Sequence, residues 1–305
     1  MTNDGMGASA LAARGSAGLR RALRQLPEGG VERQAVDAGE IDAIIDHGNA
    51  NVIMFPLARR ALRDAAIHAT AAPRPAAVES LAANSVLAAL PRAECERLLP
   101  NLEPVMLGLG DVLHEPSAPV RFVYFPIDCT VCLLTKTEGQ RAVATGMVGY
   151  EGIVGTSLVF GVDVSPVRAL VIASGKALRM PAWQFDQELR CCPSLQRELH
   201  RYAYGELAQA RQAVVCIDSH RLEQRLACWL LMISDRSMSP EITLSQERLA
   251  ANLNVRRASV TLACTSLRTR KLISSKRSKI KIISRNGLEG ASCSCYTKIE
   301  AVHAA

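Results

Sequence analysis

No stretch of this 305-residue chain approaches about 18 consecutive uncharged apolar residues, so it offers no candidate membrane-spanning helix. The N-terminal segment MTNDGMGASALAARGSAGLRRALRQL lacks a continuous apolar core. That argues against a secretion signal and leads to the expectation of a cytoplasmic chain. Histidine is scarce, at six residues. A cupin-like metalloenzyme would need two histidines one residue apart, an acid a few residues on and a later histidine, converging on a metal. The strand-rich stretch offers only His114, beside Glu115, with no further histidine before His200. His114 therefore reads as a surface loop residue. No serine or cysteine has a recognisable base partner, so no catalytic residue is assigned, and no metal or cofactor.

Cysteine is not scarce, but its ten copies are scattered, at 95, 129, 132, 191, 192, 216, 228, 264, 293 and 295. In a reducing compartment they do not form a disulfide framework. Cys129 and Cys132 have CxxC spacing, yet they sit in a β-prone run with no helix after it and no second pair. Cys216, Cys228 and Cys264 fall on apolar helix faces and read as core. Cys293 and Cys295, separated by one serine, lie in a tail with no assigned role.

Negative charge is nearly missing from one region. From Arg236 to Leu288 there are 12 Lys+Arg but only two acids, Glu241 and Glu247. The whole chain carries +7, so positive charge concentrates here. A surplus of that kind favours a polyanion, because each neutralised phosphate releases counterions. Within it, LSQERLAANLNVRRASVTLACTSLRTRKLISSKRSKIKIIS reads as a helix, a turn, a second helix and a hairpin. Ser245 is placed to cap the first helix, with Glu247 near its positive end. Leu249, Ala250 and Leu253 give it an apolar face. Asn254 stands at the turn and tolerates positive φ. Val255, Val260, Ala263 and Leu267 recur at helical spacing and predict the buried stripe of the second helix. Arg256, Arg257, Ser259 and Thr261 lie off that stripe, at its start. Forked guanidiniums and hydroxyls there suit base edges in a major groove. In the hairpin, Ile280 and Ile282 alternate with Lys279 and Lys281, and Lys276 and Arg277 lie at the tip, a wing suited to phosphate. Ser245, Gln246, Arg256, Arg257, Ser259, Thr261, Lys276, Arg277 and Lys279 are the candidate DNA contacts.

The rest of the chain divides by composition. Residues 1–80 form an N-terminal extension, with an amphipathic helix ending near residue 65 and an Ala- and Pro-rich linker from 68 to 80. Residues 81–190 hold short β-prone runs punctuated by glycine, which predict an antiparallel roll. Residues 191–218 predict a long helix opened by Pro193. Its stripe of Leu195, Leu199, Ala203, Leu207, Ala210 and Val214 either lies on the domain's own core or zips to a second copy; its near-continuous run favours the second. A further helix follows, and residues 219–292 form the helix-turn-helix unit, ahead of a tail at 293–305.

In this order, the parts resemble the Crp/Fnr family of bacterial transcription regulators. The resemblance is carried by SHRLEQRLACWLLMISDR and LSQERLAANLNVRRASVTLACTSLRTRKLI, while MVGYEGIVGTSLVFG is similar to the stretch holding that family's ligand cradle. It implies an α+β fold: a jelly-roll-like antiparallel β-roll, a long dimerisation helix and a C-terminal winged helix-turn-helix. It implies a homodimer on a palindromic site of double-stranded DNA, with RNA polymerase as a further candidate partner and a signal acting through the roll. Arg257 matches the recognition-helix arginine that reads guanine. Ala258 stands where many members carry glutamate, and Ser278 where the wing often has glycine. The cradle departs from the pattern. Gly155-Thr156-Ser157 replaces the glycine-glutamate-leucine turn, and Arg168 lies outside an arginine-serine pair, so a cyclic nucleotide lacks its polar anchors. Gly155, Thr156, Ser157 and Arg168 remain the candidate site for a different effector. The N-terminal cysteine cluster of oxygen-sensing members is missing. The competing readings are a cupin-like metalloenzyme and a signalling module that binds protein rather than DNA.

Overall fold

The computed structural model describes residues 43–46, 51–54, 81–136, 142–276 and 278–304. The chain divides into two compact units, Met1–Ala72 and Pro73–Ala305. In the first, β1 (Ala43–Asp46) and β2 (Asn51–Met54) pair antiparallel, with Ala43 opposite Met54. The sequence reading assigns no strands here; the helix it places before residue 65 and the linker lie outside the described residues.

The second unit opens with α1 (Ser85–Ala88) and α2 (Arg92–Leu98). Asn84 caps α1 by accepting from the Leu87 N–H, and its amide donates to the Pro126 and Gly152 carbonyls at 2.9 Å each. The oxygen and the amide nitrogen of a buried side chain are thereby both used to pin the helix to the roll.

The roll holds β3 (Glu103–Leu107), β4 (Val112–His114), β5 (Phe122–Pro126), β6 (Thr130–Lys136), β7 (Ala142–Val148), β8 (Arg168–Ala173) and β9 (Gly175–Pro181). They form two antiparallel sheets, ordered β3-β9-β5 and β4-β8-β6-β7. Val123 and Phe125 of β5, Val131 and Leu133 of β6, and Val171 of β8 meet in the core between them. The opposite face of β6 is also buried: Cys132 and Leu134 join Met147 and Ile172 in a second core shared with the C-terminal helices. Burial on both faces explains why β6 reads as a continuous apolar run instead of alternating. It also separates Cys129, in the roll's core, from Cys132, in the other core, so the CxxC pair is divided between two faces.

Two glycines close the turn after β7. A Cβ on Gly152 would lie 1.8 Å from the Tyr202 ring, so only glycine fits against the long helix. Gly155 has φ of 113°, which L side chains rarely adopt.

After α3 (Ala182–Cys191), α4 runs from Pro193 to Ser219. Its apolar stripe changes role along its length, which corrects the expectation of one continuous dimer seam. Leu195, Leu199 and Ala203 are buried, and Leu195 and Leu199 are enclosed by the roll's own core together with Tyr202, so they are not available to a partner. Leu207 and Val214, further along, are 48% and 69% exposed. Ala210, between them, is half-buried.

The C-terminal part comprises α5 (Leu222–Arg236), β10 (Glu241–Thr243), α6 (Gln246–Asn252), α7 (Arg257–Thr269), β11 (Ile273–Lys276), β12 (Lys279–Ile282), α8 (Arg285–Ala291) and α9 (Cys295–Ala304). Leu226, Leu230 and Ile233 of α5 lie beneath α6 and α7 in the shared core. The expected tail is instead a helix: α9 packs on α4 and α5, with Cys295, Tyr296 and Ile299 buried. Arg236, only 3% exposed, ties the parts together by pairing with Glu151 of the roll at 2.6 Å and Glu300 of α9 at 3.4 Å. Among the described residues no helix is long and apolar enough to cross a membrane.

Candidate nucleic-acid interface

The helix-turn-helix follows from local chemistry. Ser245 caps α6, its hydroxyl accepting from the Arg248 N–H at 3.2 Å. At the other end, Arg225 donates to the Leu253 carbonyl at 2.8 Å, satisfying a free helix C-terminal acceptor. Asn254 makes the turn with φ of 53°, the left-handed conformation that asparagine tolerates. Arg256 is the N-cap of α7 in extended backbone, and Arg257 is its first residue.

Val260, Ala263, Cys264 and Leu267 face the core, so helical geometry turns Arg256, Arg257, Ala258 and Thr261 outward, all exposed. Ser259 is half-buried at the edge of that face. The Thr261 hydroxyl lies 2.8 Å from Gln246 Oε1 and 3.1 Å from the Arg257 carbonyl. Gln246 and Thr261 thus lock α6 to α7 while remaining at the surface. The wing is β11 against β12, Lys276 opposite Lys279, with β10 added on the far edge of β12. Ile280 and Ile282 point into the core; Lys276, Lys279 and Lys281 are exposed. Arg277 lies outside the described residues.

The basic surplus separates into two groups. Arg270 pairs with Glu223 at 2.7 Å, Lys281 with Glu241 at 3.7 Å, and Arg285 with Asp235 at 2.5 Å. These cations are engaged by protein. Arg256, Arg257, Lys276 and Lys279 have no ion pair among the described residues, and they lie at the start of α7 and on the wing.

Residues 224–291 match the family model of the Crp-like helix-turn-helix domain. That stretch contains the cap, the turn, α7 and the wing. Residues 224–291 therefore form a Crp-like helix-turn-helix domain, and the roll, long helix and winged unit together have the fold of Crp/Fnr-family regulators. Among solved structures, FixK2 from Bradyrhizobium japonicum is 15% identical, with a TM-score of 0.54 over 63% of this chain and 98% of that one. A Crp/Fnr-family transcriptional regulator from Thermus thermophilus is 23% identical, with a TM-score of 0.51 over 62% of this chain and 98% of that one. At such identities the likeness is one of fold. The transcriptional regulatory protein btr of Bordetella pertussis is 28% identical over 141 residues, 44% of this chain. The match spans 55% of that protein's length.

The turn after β7 borders a cavity between the roll and α4. Gly155, Thr156 and Ser157 line it with His114, Phe160, Glu206 and Leu207. Two findings correct the sequence reading. His114 is not in a surface loop: it ends β4, is 8% exposed, and has no hydrogen-bond partner for either ring nitrogen. Burial holds it below the usual histidine range. Arg168 pairs with Glu115 at 3.1 Å and is not part of the cavity lining. A carboxylate from α4 also lines this cavity. Glu206 accepts from the Thr156 hydroxyl at 2.6 Å, and burial raises its pKa against that hydrogen bond. Sequence reasoning missed Glu206 because it reads as one of several charged residues on the polar side of α4.

Proposed function

We propose that this chain is a sequence-specific DNA-binding regulator that holds a palindromic site as a homodimer. The observation that carries the reading is the pair of exposed, unpaired guanidiniums of Arg256 and Arg257 at the start of α7. Their charge is not spent on a protein acid among the described residues, unlike that of Arg270 or Arg285. Arg257 reads a base edge, Ser245 and Gln246 abut the backbone, and Lys276, Lys279 and Arg277 of the wing hold phosphate. Leu207, Ala210 and Val214, with Ile217, offer the apolar face on which a second copy of α4 packs, setting two α7 helices on two half-sites.

On this reading the protein works in the cytoplasm, at promoters served by RNA polymerase. The cavity lined by Gly155, Thr156, Ser157, His114 and Glu206 receives a small effector that is not a cyclic nucleotide, since among the described residues no arginine lines it to take a phosphate. In-vitro selection of random duplexes with the purified full-length protein tests the reading. Enrichment of a two-fold symmetric motif supports it, and recovery of unenriched sequence overturns it.

A further inference from the structure

Four ligand-forming side chains meet behind the winged unit, although the sequence splits them into two distant pairs. Cys216 lies on the last turn of α4, and His220 is the residue that follows that helix, four positions on, so both project from the same face. Cys293 and Cys295 flank Ser294 at the start of α9. Because α9 packs against α4, one donor atom from each of the four lies within 4.8 Å of every other. The Cys216 and Cys293 sulfurs are 3.6 Å apart, and Cys295 Sγ is 3.4 Å from His220 Nδ1.

We propose that Cys216, His220, Cys293 and Cys295 form a closed tetrahedral site for zinc. Zinc–thiolate bonds of about 2.3 Å and zinc–imidazole bonds of about 2.0–2.1 Å require tetrahedral edges of about 3.8 Å between sulfurs and about 3.5 Å from sulfur to nitrogen. The Cys216–Cys293 and Cys295–His220 separations, 3.6 and 3.4 Å, are close to those edges, and the other pairs lie within 4.8 Å. Three sulfurs and one imidazole are a soft set that discriminates against magnesium and calcium. Four protein ligands leave no open position, so the site is structural rather than catalytic.

The surroundings suit an anionic cluster. Gln212 donates to Cys295 Sγ at 3.1 Å, the outer contact that orients a metal ligand. Cys293 and Cys295 are buried, while Cys216 and His220 are half-buried, so an ion has an entry path. On binding, the three thiol protons leave to solvent as the three Zn–S bonds form. The ion joins the segment after the wing to His220, the point where α4 hands over to α5. It therefore fastens the winged unit to the long helix.

The test is metal analysis of full-length protein purified with zinc in the medium. One zinc per chain is expected, lost in Cys216→Ser and Cys295→Ser and kept in Cys191→Ser, whose thiol is exposed and outside the cluster. Should the serine variants fail to fold, cobalt added to metal-free wild type decides. Thiolate-to-cobalt charge transfer with intense tetrahedral d–d bands, displaced by zinc, supports the site. Any one of three results overturns it: no zinc and no such spectrum, zinc retained by a well-folded Cys295→Ser, or an iron–sulfur chromophore in place of zinc.

Discussion

Replacing Arg257 by alanine separates base reading from phosphate holding. Its side chain is exposed and makes no hydrogen bond or ion pair among the described residues, so the fold loses nothing in its absence. Alanine at the first position of α7 is also a good helix former. Thermal stability should therefore stay within about 0.5 kcal/mol of wild type, as for surface substitutions away from special features. DNA binding should not. A bidentate arginine–guanine contact is worth about 1–3 kcal/mol of discrimination. Two copies on a palindrome double that to about 2–6 kcal/mol, roughly thirtyfold to 10⁴-fold in Kd. The assay is anisotropy on the selected site and on a random duplex, at one fixed salt concentration. The specific complex should weaken by that factor, with preference relaxed at one base per half-site and random binding reduced slightly. Lys276→Ala is the counterpart: it should weaken both duplexes about equally and lower the salt slope by about one. Equal losses on both duplexes for Arg257→Ala would refute the base-reading assignment.

Three further outcomes follow from the geometry. Leu207→Glu places a charge on a residue already 48% exposed, so the monomer should fold normally while sedimentation shows loss of the dimer and operator affinity falls; a wild type already monomeric at micromolar concentration contradicts the seam. His114 is held below the usual histidine range, so the unfolded chain binds its proton first as pH falls. Stability should decline below about pH 6.5, and His114→Gln should flatten that part of the pH–stability curve; an unchanged curve removes His114 as its source. Cyclic AMP and cyclic GMP at about 100 times a micromolar Kd would raise stability by about 2.7 kcal/mol if they bound the folded state, so an unchanged melting temperature and DNA affinity are expected, and a clear shift contradicts the reading of the cavity.

The winged helix-turn-helix was legible in the sequence because its determinants are local. Ser245 caps a backbone N–H three residues on, Asn254 supplies its own positive φ, and the stripe from Val260 to Leu267 declares which face of α7 turns inward. The strands of the roll were legible from their β-prone runs and the glycines between them, β6 included although both its faces are buried, while the three-residue β4 was too short to declare itself. Other features were decided by tertiary structure, because they depend on what comes to rest against a segment from far along the chain. The period of α4 is the same from Leu195 to Val214, so it does not reveal that the roll covers the first half and leaves the second exposed. His114 looked peripheral until β8 paired with β4 and closed over it. Cys216 and Cys293, 77 residues apart, looked like a core residue and a tail. Packing α9 on α4 set their sulfurs side by side, at a distance that no local pattern encodes.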